Sequence, residues 1–291
     1  VLSGVNTSNE RVSASYTEST ETVLSGSGAT GIDLDGYNAP VSVALKGLST
    51  TVEQRSDTQA CVETSGDVSV ELRGDKAIRV TGYGVGIRSG QALTIGGSGT
   101  LDVEAPNRGI NVDHGGSFTL KGGILNVTKG GIVMSNGTLQ VAGGKLNVTK
   151  GGIKMYEGTL QVTSGNLIAS DTSVEAKQIT ISGGEVTAKT LKATGGDQKV
   201  KLSGSAHVTL TDPLSEEQVL NSFDFTDLTT EGWLSYKLTG EPSPDDDNKD
   251  YVVIRGEKEP PAPADTDTGT APAGDAGGAI AAVALGSAAL W

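Results

Sequence analysis

Residues 122–142, GGILNVTKGGIVMSNGTLQVA, align without a gap to residues 143–163, GGKLNVTKGGIKMYEGTLQVT, with 16 of 21 positions identical. A fixed period of this kind marks a chain whose units bury their apolar faces only against one another. Within each unit three short runs alternate apolar and polar residues, Leu-Asn-Val, Ile-x-Met and Leu-Gln-Val, each introduced by Gly or Gly-Gly. Alternation with period two is the pattern of a strand with one buried face. The glycines supply the positive-φ corners that β-branched residues do not tolerate. Three strands and three corners close one turn of a triangular coil. The repeat therefore predicts an all-β, single-stranded parallel β-helix with three strands and about 21 residues per coil.

The pattern extends in both directions. First-strand inward pairs read Ile78/Val80, Leu101/Val103, Leu125/Val127, Leu146/Val148, Leu167/Ala169 and Val186/Ala188. Second-strand pairs read Val85/Ile87, one step out of register, then Ile110/Val112, Ile132/Met134, Ile153/Met155 and Val174/Ala176. Third-strand pairs run from Val70/Leu72 through Leu93/Ile95, Phe118/Leu120, Leu139/Val141, Leu160/Val162 and Ile179/Ile181 to Val200/Leu202. Weaker versions stand at Ile32/Leu34, Val41/Val43/Leu45 and Val208/Leu210, so about eight or nine coils fit between residues 28 and 210. Composition agrees: 42 of 291 residues are glycine and only 4% are aromatic, which suits a narrow prism of Val, Ile, Leu, Met and Ala stacked coil on coil. A β-sandwich would also show short strands and glycine turns, but its hairpins do not generate a gap-free 21-residue identity.

Outside the repeat the composition divides the chain. Residues 1–22, rich in Ser, Thr and Glu, read as an N-terminal arm, cap or leading strand, and 23–210 as the β-helix. Residues 211–258 hold Phe223, Phe225, Trp233, Tyr236 and Tyr251 and read as a C-terminal cap or small appended unit covering an open strand edge. Residues 259–278 form a Pro, Ala, Asp and Gly linker that has no means of burying itself. The uncharged run 279–291 has 13 residues. A bilayer span needs about 20, so this run reads as a cut-short anchor, an Ala-rich helix or a disordered end.

Charge and rare residues exclude several functions. The net charge is −13, and the acidity is concentrated in the tail: residues 202–291 carry 16 acidic and 4 basic side chains, against 5 acidic and 10 basic in 121–201. With no basic stripe interleaved with aromatics, nucleic acid is not an expected partner. One cysteine, Cys61, leaves no intramolecular disulfide to form, and His114 and His207 alone are too few for a His-based metal site.

The stretch LTIGGSGTLDVEA (93–105), Gly-Ile-Asn-Val (109–112) and the repeated Gly-Gly-x-Leu-Asn-Val-Thr resemble the bacterial cell-surface carbohydrate-binding β-helix proteins. That family is pectate-lyase-like in fold, has clostridial members and binds acidic polysaccharides with calcium without cleaving them. The likeness covers roughly residues 90–190, with a weaker Val-Leu-Ser-Gly opening at 23–26. The linker and apolar end resemble Gram-positive wall-anchored proteins, although Leu-Pro-x-Thr-Gly and the terminal basic cluster are absent. The resemblance implies an extracellular, cell-surface location, a polysaccharide or host glycan or protein as partner, and cell-wall or membrane attachment only through the C-terminal anchor. Calcium is the one cofactor it implies. Relatives carry Asp-Gly-Ile at the coil corner, where carboxylate could help a cation reach its six to eight oxygen ligands. This chain has Arg108-Gly109-Ile110, Gly130-Gly131-Ile132 and Gly151-Gly152-Ile153 there.

Candidate chemistry lies on the outward positions. The third face offers a ladder of hydroxyls and amides, Thr94, Thr119, Gln140, Gln161 and Thr180, flanked by Thr138, Thr159 and Thr163. Such a ladder can hydrogen-bond a flat polymer, a receptor or an ice lattice, and Thr is also simply favoured in strands. A rim of Lys129, Lys145, Lys150 and Lys154 on neighbouring coils suits an acidic polysaccharide, with Tyr83 and Tyr156 as scattered aromatics. Asn107, Arg108, Asp113 and His114 are the only local constellation of mixed chemistry, and corners attract such residues for turn reasons alone. Asp245-Asp246-Asp247 lacks the spacing of a cation loop, and the sequons at Asn6, Asn126, Asn136 and Asn147 read as turn and strand residues. These features favour non-catalytic adhesion or polysaccharide binding. A polysaccharide lyase or glycoside hydrolase on the same scaffold, or a structural spacer, are the alternatives; a glycosidase would need two carboxylates flanking one bond.

Overall fold

The computed structural model describes residues 67–72, 84–239 and 251–256 in full, the side chains of Ala60 and Val62, and the backbone of the strands between Val12 and Gly82. The chain winds as a parallel β-helix. On the third face the rungs Val68, Leu93, Phe118, Leu139, Leu160, Ile179, Val200 and Phe223 stack in register. Seven turns separate the first from the last, about 22 residues each. The two turns through Phe118, Leu139 and Leu160 are the exact 21-residue repeat. Elsewhere the corners lengthen or shorten and the strands keep their places, from 25 residues per turn before Phe118 to 19 between Leu160 and Ile179. Where a corner is short the strand hydrogen bonding continues around it, so Thr138–Val148 passes from the third face to the first and Thr159–Ala176 passes through all three.

The interior is a set of like-on-like columns. Leu101, Leu125, Leu146, Leu167, Val186 and Val208 stack on the first face, and Ile110, Ile132, Ile153 and Val174 on the second, all at most 1% exposed. Burying one such side chain fully contributes about 1.5–3 kcal/mol, and each is shared only with the coils directly above and below.

The coil through Val68, Ile78 and Ile87 corrects the sequence reading. Val68 and Val70, not Val70 and Leu72, lie beside Leu93 and Ile95. Likewise Ile78 lies beside Val103, with Lys76 beside Leu101, and Ile87 and Ser89 lie beside Ile110 and Val112. Every face is offset by two residues. Alternation cannot detect such a slip, because a two-residue shift returns each side chain to the same face whereas a one-residue shift exchanges the faces. One consequence is a fully buried Ser89 in a column that continues as Val112, Met134 and Met155. Its hydroxyl donates to the Gln91 carbonyl at 3.0 Å.

The coil also begins before residue 23 and runs past residue 210. Val12–Ser15 pairs in parallel with Ile32–Asp35. At the other end, after the strand His207–Leu214, the helix Glu216–Ser222 interrupts the strand pattern, started by a capping box in which Ser215 and Gln218 bond each other's backbone. Phe223–Leu228 then stacks on Val200–Gly204, and Trp233–Leu238 on His207–Leu214. A reversed strand, Tyr251–Arg255, pairs antiparallel with Trp233–Leu238 and occupies that edge. The linker 259–278, the apolar run 279–291 and Asp245-Asp246-Asp247 lie outside the described residues.

This last turn is filled by larger side chains, Phe223, Leu234 and Tyr236. The Tyr236 hydroxyl is buried with no hydrogen-bond partner among the described residues. Burial, assisted by the charge of Glu216, holds the phenol above its ordinary pKa. Because a buried unsatisfied hydroxyl costs about 1–3 kcal/mol, Tyr236→Phe is expected to leave stability unchanged or raise it slightly in a urea titration. A clear loss would show that the hydroxyl has a partner.

Candidate functional site

The corner between the first and second faces gathers the cations. In both repeats it is Thr-Lys-Gly-Gly, and its glycines take left-handed backbone: φ is 72° and 62° at Gly130 and Gly131, 86° and 68° at Gly151 and Gly152. Two such residues in succession turn the chain within a very short corner, leaving Lys129 and Lys150 exposed at equivalent places one coil apart. The preceding coil turns through Ala105-Pro106-Asn107 and delivers Arg108 to the same side. Together with Val133, Lys154 and Tyr156 from the second-face strands Ile132–Met134 and Ile153–Met155 and their ends, these residues line an open groove of about 600 Å³.

The cations differ in how they are held. Lys129 is paired with Glu104 at 2.6 Å. Arg108 donates from Nη1 to Asn111 Oδ1 at 2.9 Å, and Asn111 is only 3% exposed, so the guanidinium is anchored on a fixed amide. Lys150 and Lys154 form no ion pair among the described residues, although Glu175 is the neighbour of Lys154 on the next coil. Tyr156 is 67% exposed. The groove thus offers fixed and mobile positive charge beside an open aromatic ring, a combination that accepts anionic, ring-bearing ligands.

The other expected residues are distributed as follows. Lys145 is not part of the rim: it lies on the first face between Ile124 and Asn166, because its place in the repeat is the start of a strand and not the corner. The third-face ladder is in register, with Thr94, Thr119, Gln140, Gln161 and Thr180 forming one column and Ser117, Thr138, Thr159 and Gln178 the next. All of these except exposed Gln178 are half-buried. Thr163 is the unpaired residue at a register shift within the strand Thr159–Ala176, and its hydroxyl donates to the Val141 carbonyl at 3.5 Å. The constellation of Asn107, Arg108, Asp113 and His114 is divided by the strand Arg108–Val112. Asn107 and Arg108 enter the basic groove. Asp113 accepts from Arg88 Nε at 3.0 Å, and His114 is an exposed turn residue with φ 55°.

A second groove, of about 480 Å³, lies along the outer first face and was not foreseen. Its wall is an amide ladder: Asn126 Nδ2 donates to Asp102 Oδ1 at 2.6 Å, and Asn147 Nδ2 donates to Asn126 Oδ1 at 2.5 Å. The signal available in the sequence was the middle residue of each Leu-x-Val run. Only the register makes those residues adjacent.

Among the described residues no three His, Cys, Asp or Glu side chains converge as a metal site would require, and no helix is long and apolar enough to cross a membrane. Comparison with known proteins finds no match to this chain: no family model, no curated protein and no solved structure is significantly similar.

Proposed function

We propose that the chain is a non-catalytic, cell-surface binding protein that holds an acidic polysaccharide in the basic corner groove. The observation that carries this reading is the collection of Arg108, Lys129, Lys150 and Lys154 in one groove of a chain whose net charge is −13. The stretch 121–201 is itself basic, with 10 basic and 5 acidic side chains, and the groove concentrates that charge at one corner, where like charges kept adjacent cost stability unless an anion meets them. A non-catalytic role for this groove is supported by its lining: no Asp or Glu belongs to it, so a glycosidase pair of carboxylates is not available there, whereas Asp102, Glu104 and Asp171 line the first-face groove.

The test is retention of the intact protein on immobilised polygalacturonate, alginate and heparin, with dextran as the neutral control. Binding to the acidic polymers is expected to weaken steeply as salt rises, because screening reaches about 8 Å at physiological ionic strength. Lys150→Gln removes one exposed charge and should weaken binding up to about fivefold. A chelator arm decides whether calcium takes part. Retention on none of the acidic polymers would leave the spacer reading, and release of unsaturated uronate products would make the protein a lyase.

A further inference from the structure

The two near-identical repeats differ at only five positions: Ile124/Lys145, Val133/Lys154, Ser135/Tyr156, Asn136/Glu157 and Ala142/Thr163. None is in the core. The inward residues are the same in both units, Leu125/Leu146, Val127/Val148, Ile132/Ile153, Met134/Met155, Leu139/Leu160 and Val141/Val162, and every one is at most 2% exposed. The two coils thus share their interior and their Gly-Gly corners, so each core is a control for the other, while the corner after the second face differs: Gly137 has φ 90° and Gly158 is not left-handed. What differs is the outer surface, and two of the five differences, Lys154 and Tyr156, stand in the basic groove.

Resting on the binding function proposed above, we infer that Lys154 and Tyr156 form a single-sugar subsite present in the second repeat and missing from the first. Lys154 stands on the strand Ile153–Met155 and Tyr156 one residue past its end, and both line the groove, so the ammonium and the ring are presented to the same space. An exposed tyrosine ring covers the C–H face of a pyranose, and the ammonium meets a carboxylate at the edge of that sugar. Val133 and Ser135, at the same places one coil earlier, can do neither. Glu157, the acidic residue gained beside them, is held by Lys177 of the next coil at 2.5 Å, which keeps its charge engaged away from Lys154. The ligand unit selected is therefore a uronic acid residue, positioned where Lys150 and Lys154 converge. A bare anion would use only the lysines.

The experiment exchanges the two coils' surfaces. Lys154→Val with Tyr156→Ser gives the second coil the residues the first already carries on the same core, so folding is provided for and is checked by an unchanged thermal melt. Calorimetric titration with a galacturonate heptamer should show about tenfold weaker binding for this double variant, the equivalent of one good contact. Lys154→Val alone should flatten the salt dependence, and Tyr156→Ser alone should weaken binding equally at all salt concentrations. The reciprocal graft, Val133→Lys with Ser135→Tyr, should add a subsite and tighten binding to the heptamer. If the wild type binds and Lys150→Gln weakens it while the double variant binds as the wild type does, the subsite is wrong and the groove stands. If the wild type binds no acidic polymer, both fall.

Discussion

Gly131→Ala is expected to destabilise the protein by about 2–4 kcal/mol, the sum of a left-handed backbone penalty and a forced separation of coils. Gly131 has φ 62°, and a Cβ built there would lie 2.6 Å from the Gly151 carbonyl carbon and closer still to the Gly152 oxygen. Both are backbone atoms of the next coil, so nothing flexible can move aside. Coils stacked at roughly 4.8 Å cannot part without breaking strand hydrogen bonds. Gly196 separates the two causes. Its φ is 56°, yet a Cβ there meets nothing within 4 Å, so Gly196→Ala should cost only the backbone penalty of about 1–2 kcal/mol. Urea titrations of the two variants test the argument, and equal losses would show that contact between coils contributes nothing at Gly131.

Phe118→Ala should cost about 3–5 kcal/mol, as buried aromatic truncations do. Phe118 is fully buried between Leu93 above and Leu139 below, in the middle of the described solenoid. The Leu and Ile residues around it belong to stacked strands and cannot collapse into the space without moving whole coils. A solenoid is stabilised by nearest-neighbour interfaces, so weakening one interior coil lowers the coupling between the two halves. Hydrogen exchange should accelerate first in Leu93–Gly97 and Thr138–Val148, the strands that flank the gap, before the ends respond. A loss below about 1 kcal/mol with uniform exchange would mean that the core repacks freely, contrary to a close-packed interior.

The same structure explains which parts of the site were legible in the chain. Lys129 and Lys150 were visible as a rim because they recur in an exact repeat, which specifies equivalent places on successive coils, and Lys154, where the first repeat has Val133, stands four residues after Lys150. Arg108 was visible only as part of the corner constellation with Asn107, Asp113 and His114, and Tyr156 only as a scattered aromatic. Arg108 reaches the rim through a corner of different length, and Tyr156 is a substitution within a repeat whose other member is Ser135. Lys145 was misplaced for the opposite reason: it is close in sequence to the corner lysines, but a corner and the strand before it face different ways.

The sequence by itself determined the β-helix. The 21-residue identity, period-two alternation and paired glycines are local properties, and each is satisfied by one backbone path that stacks on itself. Tertiary structure alone decided the two-residue register of the coil through Val68, Ile78 and Ile87, the continuation of the coil to Leu238 around a short helix, the hydrogen bonds that link the outward first-face residues Asp102, Asn126 and Asn147, and the convergence of Arg108, Lys150, Lys154 and Tyr156 on one groove. The physical reason is symmetry. An alternating strand is unchanged by an even slip, and a solenoid tolerates corners of any length. Which outward side chains become neighbours is therefore settled by hydrogen bonding between coils that lie some twenty residues apart in the chain, a choice to which the inward pattern is indifferent.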